Sequence, residues 1–299
     1  MKYYYRVYGL NIESTIEIPE FELIDSDCNI DVKLSFGVVK EDIIEKITQG
    51  YVANYEKKDM WFYVENVAIF HIYNGDTVIV EPMGDKNNKM IKLYIMGSVM
   101  GMILLQKNRV AIHGGGIVVD GKGCIFTGQK GAGKSTITTA LRKKGYKFIA
   151  DDVCSINMGD VNTISHGFGY QKLCEDAMGK LGYNIDDYEP FRGDLDINKY
   201  IVPAFDEFTK EEVPLEAIFE LSVGDVEKVE IEEVLGASKI NKILENIFRI
   251  EILQFAGGID PSYFKKCLNI AKNTRLYKIT RPKNVFSVED QIHFVKDVI

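Results

Sequence analysis

Gly128-Gln129-Lys130-Gly131-Ala132-Gly133-Lys134-Ser135-Thr136 decides how this chain is read. The nine residues satisfy Gly-x-x-x-x-Gly-Lys-[Ser/Thr] at every fixed position. Cys124-Ile125-Phe126-Thr127 before them predicts a strand, and residues 134–144, stopped by Gly145, predict a helix. Glycines let a backbone turn so that successive N–H groups face phosphate oxygens, beside a helix N-terminus carrying about half a positive charge. Lys134 adds a full charge for the β- and γ-phosphates, and the Ser135 hydroxyl can ligate Mg²⁺.

Working outward, residues 146–150 predict a short apolar strand that ends at Asp151-Asp152, 17 positions after Lys134. Strand, loop, helix and strand then make a βαβ unit with a right-handed crossover. In open α/β sheets ligands bind at the carboxyl ends of strands, where this acidic pair falls. One carboxylate can hold or orient Mg²⁺ while the other faces a hydroxyl; the alternative is a strand-end turn whose acids face water. Upstream, His113 precedes Gly114-Gly115-Gly116. His-Gly-Gly-Gly also forms the oxyanion loop of some esterases, but their Gly-x-Ser-x-Gly nucleophile motif is absent from the chain.

Taken together, His113-Gly114, the loop 128–136 and Phe148-Ile149-Ala150-Asp151-Asp152 resemble the catalytic domain of HPr kinase/phosphorylase, a serine kinase on the phosphoenolpyruvate-carboxykinase type of phosphate-loop (P-loop) fold. Arg6-Val7-Tyr8-Gly9-Leu10, Ile95-Met96-Gly97-Ser98, and residues 215–221 and 246–251 extend the resemblance to HPr-kinase-related proteins from gene clusters for ribosomally made peptides, lasso peptides included. The resemblance implies an α/β P-loop kinase core using ATP and Mg²⁺. Its nucleotide contacts are Gly128, Lys130, Gly131, Ala132, Gly133, Lys134, Ser135 and Thr136. It also implies Asp151 as the base for the acceptor hydroxyl, His113 tuning that base, and Asp152 with Ser135 as metal ligands. Proteins of this family often form homo-oligomers, an expectation carried over here.

Two departures restrict the acceptor. Where the enzyme acting on HPr carries a Glu-Arg-Gly-like signature, this chain reads Ile164-Ser165-His166-Gly167-Phe168-Gly169, so a carboxylate and the case for the reverse phosphorylase reaction are missing. The N-terminal segment is also unlike that enzyme's own. A peptide or small protein other than HPr is the expected acceptor, a ribosomally made precursor peptide first among them. The alternatives are a kinase of a small hydroxylated metabolite and a non-catalytic nucleotide-binding sensor. A sensor needs the phosphate cradle but has no use for an acceptor-side base. A carboxykinase would need further Lys and His metal ligands and a carboxylate-binding Arg set.

Residues 183–197 hold Asp186, Asp187, Glu189, Asp194 and Asp196 around Arg192. This stretch reads either as a solvated loop or as a lid that brings Arg192 or Lys199 to the transferring phosphoryl group.

The rest of the chain frames this core. Its 299 residues are 46% apolar and 27% charged, enough for one large domain or two modest ones. Residues 3–8, 30–36, 60–64, 68–73 and 77–81 predict strands, with Asn74-Gly75-Asp76 as a turn. Residues 90–107 predict an apolar helix in which Gly97 and Gly101 permit close packing. The expected partition is a β-rich N-terminal module over 1–107 and the kinase core over 108–299. In the latter, 214–223, 226–234 and 275–280 predict strands, and 237–255, 261–272 and 288–299 predict helices.

The net charge is −8, yet residues 86–147 carry 12 Lys and Arg against one acid, Asp120. The surface as a whole repels nucleic acid and anionic membrane, while the basic middle suits a local anion site. The longest strongly apolar stretch, 94–105, has 12 residues against the ~20 that span a bilayer. No signal segment is legible at the start, so the expected location is cytoplasmic. Five cysteines without Cys-x-x-Cys or metal spacing read as buried thiols.

Overall fold

The computed structural model describes residues 1–192 and 198–299. The chain is mixed α/β and divides into two units, Met1–Ala111 with Phe248–Lys266, and Ile112–Ile247 with Cys267–Ile299.

The first unit is built on an eight-stranded sheet. Its elements are β1 (Tyr3–Val7), β2 (Leu10–Ser14), β3 (Glu22–Leu23), β4 (Val32–Phe36), α1 (Glu41–Thr48), β5 (Ala53–Glu56), β6 (Asp59–Val64), β7 (Ala68–Tyr73), β8 (Thr77–Pro82), α2 (Lys89–Tyr94) and α3 (Met100–Gln106). The strand order is β3-β1-β2-β4-β8-β7-β6-β5. Alternate side chains of one strand point to opposite faces, and here both faces are covered. Trp61 and Ile69 pack with Val39 and Ile43 of the α1 side. Phe62 and Phe70, one residue further along each strand, stack on each other and meet Tyr94 of α2 at a tilt, with ring centroids 4.6, 5.9 and 5.7 Å apart. The β7–β8 turn uses Asn74 and Gly75 in left-handed conformations, as an Asn-Gly hairpin requires.

The helix expected over 90–107 is one run broken by a π segment, Ile95–Val99, between α2 and α3. By length and composition Lys89–Gln106 is the one helical stretch among the described residues able to cross a membrane, and 56% of it is buried inside the protein. Gly97 has open space around it. Gly101 does not: a Cβ there would lie 2.9 Å from Cδ1 of Phe248. Phe248 also donates its backbone N–H to the Ala111 carbonyl at 2.8 Å. That docking explains why residues 248–266, expected with the kinase core, return to the first unit.

The second unit continues with β9 (Val110–Val119), β10 (Lys122–Gly128), α4 (Lys134–Lys143), β11 (Lys147–Ala150), β12 (Val153–Asn157), β13 (Thr163–Ser165), β14 (Tyr170–Cys174), α5 (Glu175–Lys180), β15 (Pro190–Arg192), β16 (Asn198–Pro203), β17 (Val213–Gly224), β18 (Glu230–Glu233) and α6 (Ala237–Glu245). After α7 (Ile250–Phe255) in the first unit come α8 (Pro261–Asn273), β19 (Arg275–Pro282) and α9 (Val288–Val298). The expected single helix over 237–255 is two helices: α6 ends at Glu245, and Arg249, at φ +56°, stands outside helical geometry just before α7. The strand expected over 226–234 is confined to β18.

The main sheet runs β10-β9-β12-β13-β17-β19-β18, and β10 also pairs β17, so the first five strands close into a ring. The expected βαβ unit forms, with one strand inserted between its two parallel strands. β10 and β11 both run antiparallel to β9, which lies between them, so α4 connects strands that are not neighbours. β10, β17 and β19 are parallel, with Phe126 opposite Phe219 and Phe219 opposite Tyr277. These rings stack at 5.3 and 5.4 Å, within 16° of parallel. Ile137 and Leu141 of α4 and Ile292 and Val295 of α9 join the same core. A small sheet, β14-β16-β15, lies apart from this one.

Phe219 is the central ring of the stack, so Phe219→Ala should cost about 3–5 kcal/mol in urea denaturation, and Phe219→Leu distinctly less.

Candidate functional site

β10 delivers the chain into the glycine-rich loop at Gly128, whose φ is +127°. A Cβ there would collide with the Leu221 carbonyl of neighbouring β17, so only glycine fits. Gly133, at φ +112°, forms the N-cap of α4 and supplies no capping side chain. The first-turn N–H groups of α4 therefore have no competing cap from that residue, and no acid stands in the first turn. Basic Arg142 and Lys143 in the last turn complement the helix dipole. Lys134 Nζ donates to the carbonyls of Gly128 at 2.7 Å and Gln129 at 3.3 Å. Burial holds the Lys134 ammonium below its ordinary pKa, against the pull of Asp152 and Asp151.

The acidic pair follows β11. Asp151 is only 4% exposed, and its Oδ2 accepts from the Lys172 backbone N–H at 2.9 Å. Burial first, and the charge of Asp152 second, push its pKa up to about 7. Asp152 sits at φ +60°, and its carbonyl accepts from Gly114 N–H at 3.1 Å. Its carboxylate, 32% exposed, accepts from Lys172 Nζ at 2.9 Å. Burial works against the charge of Asp152, but Lys172, His113 and Lys199 together drive its pKa down. One lysine thus serves both acids, by its backbone and by its side chain, and the two carboxyls are shifted in opposite directions.

Of the residues expected from sequence, Lys134, Asp151, Asp152 and Lys199 come within electrostatic range of one another. His113 acts on Asp152, whereas the resemblance assigns it to Asp151. Ser135 and Thr136 stand in the first turn of α4, and in the loop before it Ala132 is buried and Lys130 exposed. Lys199 reaches the site from β16, where it pairs with Cys174 of β14. Arg192 ends β15, and its side chain lies outside what the structure describes, as do residues 193–197 of the expected lid.

Sequence reasoning missed four contributors. Lys172 is the first. Gln171, fully buried on β14, accepts from the Thr139 hydroxyl at 2.7 Å and donates to Thr138 Oγ1 at 2.6 Å, fastening α4. The Thr127 hydroxyl lies 2.7 Å from the His113 carbonyl and 2.8 Å from Asn246 Oδ1, while Asn246 donates to Glu220 at 3.2 Å. Arg281, at the end of β19, donates from Nε to the Ala132 carbonyl at 3.0 Å and from Nη2 to the Gly131 carbonyl at 3.1 Å. The only local signal was a glutamine in the buried register of an alternating strand; Lys172, Asn246 and Arg281 are 20 or more residues from their partners.

The geometry is that of a glycine-rich, helix-opening loop facing two unequal carboxyls under lysine control. No protein-family model matches the chain. A segment of 54 residues, 18% of the chain, is 39% identical to HPr kinase/phosphorylase of Bacillus mycoides (strain KBAB4), and equally to that of Bacillus cereus (strain G9842). The match spans 18% of the length of each of these relatives. A solved structure, the Hpr(Ser) kinase/phosphatase from Coxiella burnetii, aligns over 63% of this chain and 88% of its own, at 14% identity and a TM-score of 0.32.

An acid whose pKa rises on folding binds a proton that the unfolded chain has already lost, so it subtracts stability as pH climbs from about 4 to about 7. Asp151→Asn removes that penalty and keeps an oxygen for the Lys172 N–H. In metal-free and nucleotide-free protein, the melting temperature of Asp151→Asn relative to the parent should therefore increase between pH 5 and pH 8.

Proposed function

We propose that this chain is an ATP-dependent kinase of the HPr-kinase-like group that transfers the γ-phosphoryl group to a serine, or threonine, hydroxyl of a peptide or small protein. The observation that carries the reading is the buried Asp151, held by the Lys172 N–H at 2.9 Å beside Asp152, at the end of the strand that follows the loop and its helix. The 54-residue likeness to HPr kinase/phosphorylase supports it.

In this reading the loop N–H groups and Lys134 bind the triphosphate and neutralise charge that builds on its oxygens. Asp151 receives the acceptor hydroxyl. As the hydroxyl oxygen bonds to the γ-phosphorus, the bond from that phosphorus to the β-γ bridging oxygen breaks, ADP leaves, and the hydroxyl proton passes to Asp151. A carboxyl near pH 7 suits this, because phosphoryl transfer asks for positioning more than for a strong base. Asp152, kept ionised by Lys172, and the Ser135 hydroxyl are hard oxygen donors that fit Mg²⁺. Mg²⁺ would supply further charge neutralisation at the phosphates.

The missing carboxylate in residues 164–169 argues against the reverse reaction, and the distinct N-terminal unit argues against HPr as acceptor. We take a ribosomally made precursor peptide as the first acceptor to try.

Asp151→Asn should lower transfer by about 10²–10⁴-fold while the ATP dissociation constant stays within about twofold. Lys134→Ala should raise that constant by about 10–100-fold. Incubation with ATP, Mg²⁺ and peptides encoded beside the gene, followed by mass spectrometry for an added phosphate, tests the acceptor. Undiminished transfer by Asp151→Asn would refute the base assignment.

A further inference from the structure

A cavity of about 410 Å³ in the second unit is lined by Lys180, Val223, Arg281, Lys283, Asn284 and Val285. None of these residues belongs to the machinery described so far except Arg281, the brace of the loop. We infer that this cavity receives the base and ribose of the nucleotide whose phosphates lie on the loop 128–136. This inference rests on the kinase reading and adds the place where the nucleoside is held.

Topology supplies the first support. β10, β17 and β19 are parallel and in register, so the loop after Gly128, Val223 near the end of β17, and residues 281–285 at and just past the end of β19 emerge at the same edge of one sheet. That edge, outside the carboxyl ends of parallel strands, is where α/β sheets hold ligands. Arg281 supplies the second. Two of its guanidinium nitrogens hold the carbonyls of Gly131 and Ala132 while the same side chain lines the cavity, so loop and cavity share a wall. A guanidinium is planar and stacks on aromatic rings, as a purine requires.

The lining chemistry matches a nucleoside next to phosphate. Val223 and Val285 are apolar surfaces, 40% and 53% exposed, that a base can cover. Asn284 offers an amide with both donors and an acceptor for a base edge, held in a left-handed turn at φ +58°. Lys180 and Lys283 add ammonium groups to the lining, each paired with an acid, Asp176 at 3.9 Å and Asp225 at 2.8 Å. A volume of this size falls within the roughly 300–1,000 Å³ of small-molecule sites.

The test compares ATP with inorganic tripolyphosphate, which has the phosphates and no nucleoside, by calorimetry on the full chain. Val285→Trp fills the cavity without changing charge. Asn284→Gly removes the amide at a φ that glycine adopts freely, and it stands in should the tryptophan variant misfold. The expected result is that the parent binds ATP more tightly than tripolyphosphate. Val285→Trp should weaken ATP by about tenfold or more and Asn284→Gly by about threefold or more, with tripolyphosphate within about twofold in both. Equal weakening of both ligands, no weakening of ATP, or parent affinities that are the same for the two ligands would each overturn the nucleoside site and leave the loop reading standing. A parent that binds neither ligand would remove the loop reading and the nucleoside site with it.

Discussion

Three aromatic rings in register, Phe126, Phe219 and Tyr277, are the constraint on which the second unit depends. Parallel strands have no hairpin to set their alignment, so side-chain packing must do it, and a one-residue slip would reverse every face. With the rings aligned, Gly128 lies opposite Leu221 and Leu221 opposite Ile279. The loop therefore begins at a fixed height above the sheet. Arg281, two residues past Ile279, reaches its carbonyls, and the Leu221 carbonyl forbids any side chain at Gly128.

On the other side of β10, the chemistry depends on how two adjacent carboxyls share a desolvated corner. Like charges this close cannot both be ionised at little cost, and the environment decides which gives way. Lys172 decides it. Its ammonium reaches Asp152 and only its amide reaches Asp151. Asp152 therefore keeps its charge, and Asp151 becomes a group that can exchange a proton near neutrality. His113 strengthens the same bias through Asp152, and its position is set by the Thr127–Asn246 hydrogen bonds at the end of β10. An acid pair that looks symmetrical in sequence is thus given two unlike environments by one residue from a separate small sheet.

The first unit shows the opposite economy: a wide sheet in which β6 and β7 are buried on both faces, joined to the chain's return at 248–266 through the contact of Phe248 with Gly101. Its buried His71, held by Asp59 at 2.8 Å, is kept below its usual pKa mainly by burial.

Period and punctuation along the chain determined the strands around 60–81, the turn at Asn74-Gly75, the loop 128–136, the helix after it and the acids at the end of β11, because each is set by residues within a few positions of one another. The break at Arg249, the π segment in 95–99, the insertion of β9 between β10 and β11 and the return of 248–266 were decided by packing, which no local pattern carries. Gln171, Lys172, Asn246 and Arg281 entered the site the same way. A side chain's partner across a sheet is chosen by strand order and register, and these exist only once the tertiary fold has formed.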